Sequence, residues 1–443
     1  MSIGLSGHFT YKKLFYYCLS PIIMMIFTSI YGVVDGFFVS NYVGKLPFAA
    51  VNLVMPFIMI LGGVGFMIGT GGSALIAKTL GEGREEKANE YFTMLIKLTI
   101  VLGILLSLIG IVFIRPISYV LGATETIIDD CVVYGRTVLS FNTAFMLQNV
   151  FQTFLAAAEK PKLGLAITTA AGVTNMVLDA LFIAVFHWGV AGAAIATGIG
   201  QCVGGILPLI YFLRPNSSRL RLRRSKIVVR ALLKACANGS SELMSNISAS
   251  LISVIYNLQL LRFAGENGVA AYGTIMYIQF IFIAVFIGYT IGTAPIISYN
   301  YGAGNTKELK NMLRKSLIIV STAGVAMTLL AWLLSEPLAQ IFVGYDAQLY
   351  ELTQHAFKVF SFSFLLAGAN IFASSFFTAL NNGAVSAAIS FLRTLVFQIA
   401  SVLLLPVLFG LDGIWYSITV AEVLAFCVSL AFLVAKRKKY HYA

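Results

Sequence analysis

The sequence predicts an all-α membrane protein of twelve transmembrane helices, six in each of two pseudo-symmetric halves. The prediction depends on composition, on the number of hydrophobic stretches and on an internal repeat. Of the 443 residues, 59% are hydrophobic and only 11% are charged. Soluble domains carry roughly 25% charged residues. A water-soluble core is therefore excluded, and the chain is expected to lie in a bilayer.

Twelve stretches are long and apolar enough to span, since a membrane helix needs about 20 mostly apolar residues. Six fall in each half of the chain. Their approximate limits are 14–40, 48–77, 91–114, 127–157, 163–186, 190–213, 231–263, 268–300, 315–335, 348–380, 384–409 and 412–435.

The two halves repeat one another at a shift of about 221 residues. Gly71 then aligns with Gly292, and the turn that starts at Gly81 aligns with the one that starts at Gly302. Six helices return the chain to its starting side, so the halves have parallel topology, and in such transporters the substrate lies between the repeats. The predicted units are an N-terminal lobe (1–213), a cytoplasmic basic linker (214–230) and a C-terminal lobe (231–443).

The net charge of +12 is unevenly distributed between the two sides of the membrane. Lysine and arginine crowd the tails, the linker and alternate loops, whereas the opposite loops hold only Lys45, Arg115 and Arg262. This bias is the positive-inside rule. It predicts a multi-pass protein of the plasma (inner) membrane with both termini cytoplasmic. The bilayer is the expected partner of the basic linker, which we expect to lie on anionic headgroups, and no nucleic acid is expected.

No motif indicates an enzyme, a nucleotide or a metal. The nearest approach to a phosphate-binding loop runs from Gly72 to Thr79, but Ala77 replaces its second glycine. The five cysteines and four histidines show no metal-ligand spacing. We expect no metal and no cofactor, and transport driven by a gradient of H⁺ or Na⁺.

Four acids lie inside hydrophobic stretches: Asp35, Asp179, Glu242 and Glu422. A charge at mid-bilayer costs about 2.5–3.5 kcal/mol on insertion scales, so such residues usually carry function. The alternative is a protonated carboxyl that only bonds two helices together.

Helix geometry places the first two acids at one depth. Asp35, Asp179 and Thr197 all fall roughly 8–12 Å beneath the outer interface, and Asn175 is one turn from Asp179 on the same helical face. Two carboxylates, an amide and a hydroxyl make a candidate site for a proton or a hard cation.

At these residues the sequence resembles the multidrug and toxic compound extrusion (MATE) transporters. The segment from Val34 to Gly44 is similar to the family's first-helix aspartate and the glycine-bounded turn that follows. Asn175, Asp179 and Thr197 match its N-lobe polar cluster, and Glu242 resembles its C-lobe acid. The resemblance implies two pseudo-symmetric six-helix lobes around a central cavity, alternating access, and the export of bulky organic cations or drugs against inward Na⁺ or H⁺. We expect the single chain to function as a monomer.

The tenth stretch departs from the family pattern. Where Na⁺-coupled members carry a carboxylate to pair with the acid of helix 7, this chain has Asn370. We therefore favour H⁺ coupling through Asp35 and Asp179, and assign Glu242 and Asn370 to a substrate or second ion site.

Further cavity candidates are aromatic, amide and methionine side chains, because aromatic faces attract cations and flexible methionines suit varied ligands. The alternative is that they are lipid-facing or packing residues. They are Phe145, Met146, Gln148, Asn149, Tyr256, Asn257, Met276, Tyr277 and Phe280.

Arg393, inside the eleventh stretch, is expected to partner an acid of its own lobe, either Glu242 or Glu422. The rival function is a flippase of lipid-linked saccharides, which shares the architecture but needs a cationic cavity. The acids inside the membrane favour a cationic cargo instead.

Overall fold

The computed structural model describes residues 4–442, apart from the side chain of Lys45, and these residues form helices with no β-strand. Twelve helical segments follow one another. They are α1 (Tyr11–Val43), α2 (Lys45–Gly81), α3 (Glu85–Val120), α4 (Ile128–Ser140 and Asn142–Ala157), α5 (Pro161–Val185), α6 (Gly189–Leu213), α7 (229–264), α8 (266–302), α9 (Thr306–Val343), α10 (Ala347–Ser361 and Phe364–Ala379), α11 (Gly383–Phe409) and α12 (Leu411–Tyr440).

Nine continuous helices of the described chain could each cross a membrane, or ten with α10, whose two parts meet at 47°. One of the nine, Val229–Gly302, has 74 residues. At 1.5 Å per residue it would measure about 110 Å, against a hydrocarbon core of about 30 Å. Its backbone leaves the helical region at Gly265 (φ 61°, ψ −152°), a left-handed conformation that favours glycine. We divide this helix at Gly265 into α7 and α8, and we count the two parts of α4, and likewise the two parts of α10, as one span each. The described chain then has the twelve predicted helices.

The linker between the two halves lies against α3. The Arg221 N–H donates to Asn89 Oδ1 at 2.6 Å, and the Arg223 N–H donates to Thr93 Oγ1 at 3.0 Å. Leu220 is fully buried between them. The backbone of the predicted linker is therefore bound to the first half of the protein, while the side chains of Arg221 and Arg223 stay exposed.

We call the end of the molecule that carries the linker and both chain ends the basic side. The two halves are in backbone contact there, through α1 and α2 against α7 and α8. A Cβ atom on Gly71 would lie 1.9 Å from the carbonyl oxygen of Ala235, and one on Gly239 would lie 1.9 Å from that of Met67. Only glycine permits such an approach. Toward the other end of α1, a Cβ on Gly32 would meet no atom within 4 Å. The halves are thus closed at the basic side.

Residues 4–10 form a strap across the closed basic side. The Leu5 N–H donates to Glu159 Oε1 of the first half at 2.8 Å. Glu308, at the start of α9, accepts from the Phe9 N–H at 2.9 Å, and the Lys315 ammonium donates to the Phe9 carbonyl at 2.6 Å. Leu5 and Phe9 are fully buried. The strap therefore joins both halves in this conformation.

Gly71→Ala and Gly239→Ala should each push the halves apart at the basic side, because ordinary contacts to a Cβ lie at 3.4 Å or more. The measurement is the distance between spin labels at Lys87 and Lys310, which are exposed at the starts of α3 and α9. We expect a longer distance in both variants. Gly273→Ala is the control, since a Cβ there meets nothing within 4 Å. Unchanged distances in the first two variants would contradict backbone contact as the cause of closure.

Candidate functional site

The N-lobe cluster predicted from the sequence is assembled in the structure. The carboxyl groups of Asp35 and Asp179 lie within hydrogen-bonding reach of one another. The Thr197 hydroxyl lies 3.5 Å from Asp35 Oδ1, and the Asn175 amide nitrogen lies 3.5 Å from the Thr197 oxygen. Asp35, Asp179 and Asn175 are 8%, 0% and 2% exposed. Helices α1, α5 and α6 therefore bring all four side chains to one buried place.

Both acids of the cluster sit next to π-helical turns. The turn Val39–Val43 follows Asp35, whose carbonyl accepts the Val39 N–H, and the turn Ala180–Val185 begins directly after Asp179. Such turns widen the helix locally and often mark functional sites. On α6, Gly200 leaves room for Asn175, because a Cβ there would lie 3.0 Å from the Asn175 Cβ. The two π-helical turns, and the lack of a Cβ at Gly200, thus shape the site.

Oxygen acceptors in this cluster exceed the donors. Neither oxygen of the Asp179 carboxylate accepts a hydrogen bond from the described residues, and the Asn175 Oδ1 is also without a donor. Ionised carboxylates are acceptors only, so a bond between Asp35 and Asp179 requires a proton on one of them. The arrangement can hold a proton between the acids, or a small cation among their oxygens.

Tyr134 of α4 is a fifth polar residue at this cluster, and sequence reasoning missed it. Its ring is 1% exposed, its hydroxyl has no partner among the described residues, and it lies close enough to feel the charges of both Asp35 and Asp179. A tyrosine hydroxyl can donate to a carboxylate. A single tyrosine among apolar residues gives no signal in the sequence.

The second half carries a closed ionic network instead of a carboxyl pair. Arg393 NH2 lies 2.7 Å from Glu422 Oε1, and its Nε donates to both carboxylate oxygens at 2.9 and 3.0 Å. The Asn370 amide donates to Glu422 Oε2 at 2.7 Å and accepts from Ser429 at 3.1 Å. Of the two partners expected for Arg393, the structure selects Glu422. Asn370 therefore belongs to this network, with its donor and acceptor both engaged.

Glu242 makes no ion pair with that network, although it lies close enough to feel the charge of Arg393. It lines a small cavity between the halves. The cavity measures about 40 Å³, which is room for about three or four waters at roughly 10–15 Å³ each. Hydroxyl groups form the rest of its polar lining: Thr70, Ser73, Thr153, Thr290, Ser375 and Thr378. In this state the space accepts water or a small ion, since drug-sized ligands need about 300–1,000 Å³.

Equivalent positions of the two repeats face one another across this cavity. Phe66, Thr70 and Ser73 on α2 are paired with residues 221 positions later, which are Ile287, Ile291 and Ala294 on α8. The cavity thus lies where the pseudo-symmetric halves meet. The repeat, combined with the hydroxyl residues near its aligned glycines, could have revealed these positions.

The remaining substrate candidates do not line the Glu242 cavity. Met146, Gln148, Asn149 and Tyr256 are buried in packing within their own halves, and the Phe145 ring covers Gly62. Asn257 and Met276 are half-buried, while Tyr277 and Phe280 are 38% and 64% exposed. Tyr277 lines a separate apolar groove between α1, α8 and α9.

No group of three or more histidine, cysteine, aspartate or glutamate side chains within residues 4–442 could hold a metal ion. Asp35 and Asp179 form a pair, and Glu422 is neutralised by Arg393. A duplicated helical membrane fold with a polar cavity between its halves, and polar clusters inside each half, defines a transporter.

Comparison with known proteins identifies the kind of transporter. The MatE family model matches twice, over residues 21–181 and 243–404. The multidrug export protein MepA of Staphylococcus haemolyticus is 24% identical over 429 residues, covering 96% of this chain and 93% of MepA. The MepA of Staphylococcus aureus is 23% identical over 426 residues, with the same coverage.

Solved structures agree with the fold. An outward-facing multidrug resistance MATE family transporter of the MOP superfamily superposes with a TM-score of 0.93 and 22% identity. A MATE in its straight conformation also gives 0.93, with 21% identity. Each match covers 99% of this chain and 98% of the other. The chain belongs to the MATE family, so it is a multi-pass membrane transporter and not an enzyme.

The buried ion pair should show strong coupling between its partners. Glu422→Leu or Arg393→Met alone leaves one charge unpaired, which typically costs about 3–5 kcal/mol, whereas a double apolar replacement is often close to neutral. We expect a large fall in the thermal midpoint of the purified protein for each single variant, and a substantial recovery in the double variant. Additive losses would show that the two charges do not depend on each other.

Proposed function

We propose that the protein exports organic cations or drugs across the plasma membrane by alternating access, in exchange for protons. Relatives with matching length are named multidrug export proteins, which supports the cargo class. The positive-inside rule supports a cytoplasmic basic side with both termini inside. In that orientation the present conformation is closed toward the cytoplasm.

The single observation that supports proton coupling is the buried pair Asp35 and Asp179. The two carboxyls are in reach of each other and short of donors, so one proton bound between them removes both the repulsion and the unmet hydrogen bond. Both acids lie toward the ends of α1 and α5 that face away from the basic side. A proton would therefore enter from outside and leave inside after the lobes reorient.

Sodium coupling through the second half has less support in the site geometry. Glu422 is already matched by Arg393, and Asn370 is fully bonded within the same network. Glu242 shares its cavity lining with hydroxyl groups, and no second carboxylate of the described residues lines that cavity. The flippase alternative needs a cationic cavity, and the lining described here contains no lysine or arginine.

Asp35→Asn and Asp179→Asn should each reduce gradient-driven efflux to background, while the protein still inserts, because an amide keeps the shape but cannot take up and release a proton. The measurement is transport of a fluorescent dye cation into everted vesicles, in which export appears as uptake. It is made once with a pH gradient alone and once with a Na⁺ gradient alone. Asp129→Asn is the control, since that carboxylate is exposed in the same half. Wild-type pumping by both cluster variants, or transport driven by Na⁺ alone, would refute the proposed coupling.

Glu242→Gln should weaken a cationic cargo more than a neutral one of similar size, because it removes the one carboxylate of the cavity lining. We expect the apparent affinity for the cation to fall about tenfold, which corresponds to about 1.4 kcal/mol, with the same dependence on the pH gradient. Glu266→Gln is the control, because Glu266 is an exposed glutamate in the same half, at the start of α8. Equal losses for both cargoes would instead place Glu242 in the coupling step.

A further inference from the structure

A second, larger groove opens on the basic side, away from both polar clusters. It lies between the first turns of α1 and the start of α5, with a volume of about 700 Å³. Two helix starts supply its polar lining, Lys12 and Lys13 on α1, and Lys160 and Lys162 beside Pro161 on α5. A space of this size matches ordinary ligand sites, which measure about 300–1,000 Å³.

The charge of this groove is strongly positive. Within the described chain none of the four lysines has a carboxylate at ion-pair distance. Glu159 also lines the groove, but it accepts the Leu5 N–H at 2.8 Å and faces Arg219 at 3.6 Å. That acid is therefore already engaged by Leu5 and Arg219, and none of the four lysines pairs with it.

Two of the four lysines make weak local contacts that leave their charge unmatched. The Lys160 ammonium donates to the Ser217 hydroxyl at 3.0 Å. The Lys13 ammonium lies 4.2 Å from the centre of the Phe9 ring. Both contacts hold the side chains at the groove, and an arriving anion could still accept from the remaining ammonium protons, since each lysine has three.

The surroundings of the groove suit a lipid headgroup. Tyr11, Phe15 and Tyr16 on the first turns of α1 are 48%, 57% and 56% exposed. Exposed aromatic side chains at the end of a spanning helix mark the level of the headgroups. Tyr16, Tyr17 and Leu163 form an apolar part of the groove wall. The glycerol and the first acyl carbons of a lipid would lie against it.

We propose that this groove binds the phosphate-bearing headgroup of an anionic phospholipid. Basic pockets between helices on the cytoplasmic side are known to suit such headgroups, and each lysine near the surface contributes to the attraction. The phosphate chemistry is shared with soluble phosphates, but the aromatic and apolar wall selects the lipid. None of its lining residues belongs to the Asp35 cluster or to the Glu242 cavity, so the proposal does not depend on the proposed cargo or coupling ion.

The test uses the full-length protein in detergent and measures the dissociation constant of short-chain phosphatidylglycerol. Short-chain phosphatidylcholine, glycerol 3-phosphate and inorganic phosphate are measured in parallel. We expect phosphatidylglycerol to bind at least about tenfold tighter than each of the other three, because only it offers both the net charge and the acyl chains. Equal binding of phosphatidylcholine, or of inorganic phosphate, would overturn the proposal.

The matched variants remove the same charge from two places. K12Q/K13Q/K160Q/K162Q should weaken phosphatidylglycerol binding about tenfold or more, whereas K307Q/K310Q/K438Q/K439Q removes four exposed lysines elsewhere on the basic side and should change it little. If the first variant does not fold, K12Q/K13Q and K160Q/K162Q are tested separately, and each should weaken binding. Equal effects of the two quadruple variants, or none from either pair, would show general attraction to the surface and refute a site.

Discussion

An ionised carboxylate inside a bilayer needs a counter-charge or a proton, and the two halves of this protein meet that requirement differently. In the second half Arg393 is a permanent partner of Glu422, and Asn370 and Ser429 complete the hydrogen bonds. In the first half Asp35 has another carboxyl, Asp179, as its neighbour. A duplicated fold has thus become chemically asymmetric. The Glu422 centre of the second half has an internal, fixed cation, whereas the Asp35 and Asp179 pair of the first half needs a cation or a proton from the solution.

This asymmetry makes the first half the one suited to exchange an ion during transport. A guanidinium stays charged at all relevant pH values, so Glu422 keeps its counter-charge throughout a transport cycle. A proton held between two carboxyls can leave when the surroundings change. The close backbone contacts at Gly71 and Gly239 supply the other requirement, because they allow the halves to close tightly on one side. In the proposed mechanism α1 would link ion exchange to closure, because it carries Asp35 and packs on the opposite half.

Most of the fold could be predicted from the sequence, because spanning helices are visible as apolar stretches and the repeat fixes their grouping. The N-lobe cluster could also be predicted, since Asp35, Asp179 and Thr197 share a depth that follows from helix rise alone. The contact of Asn370 with Glu422 could not be predicted, because it depends on which way α12 presents Glu422; the assignment of Glu242 and Asn370 to a substrate or second ion site stays a prediction. Tyr134 and the π-helical turns next to the acids leave no local pattern. The cavity hydroxyls become apparent only when the halves are packed together, and the lobe boundaries, the monomeric state and the sidedness remain predictions.

The most direct test of proton coupling is the number of protons released when cargo binds. Purified wild-type protein and Asp35→Asn would be titrated with a cationic dye in lightly buffered solution, with a pH indicator and at several Na⁺ concentrations. If cargo binding and proton binding exclude one another, the wild type should release about one proton per dye bound. The variant should release none, and Na⁺ should have no effect. Dye binding without proton release, or binding that requires Na⁺, would contradict coupling through the Asp35 and Asp179 pair.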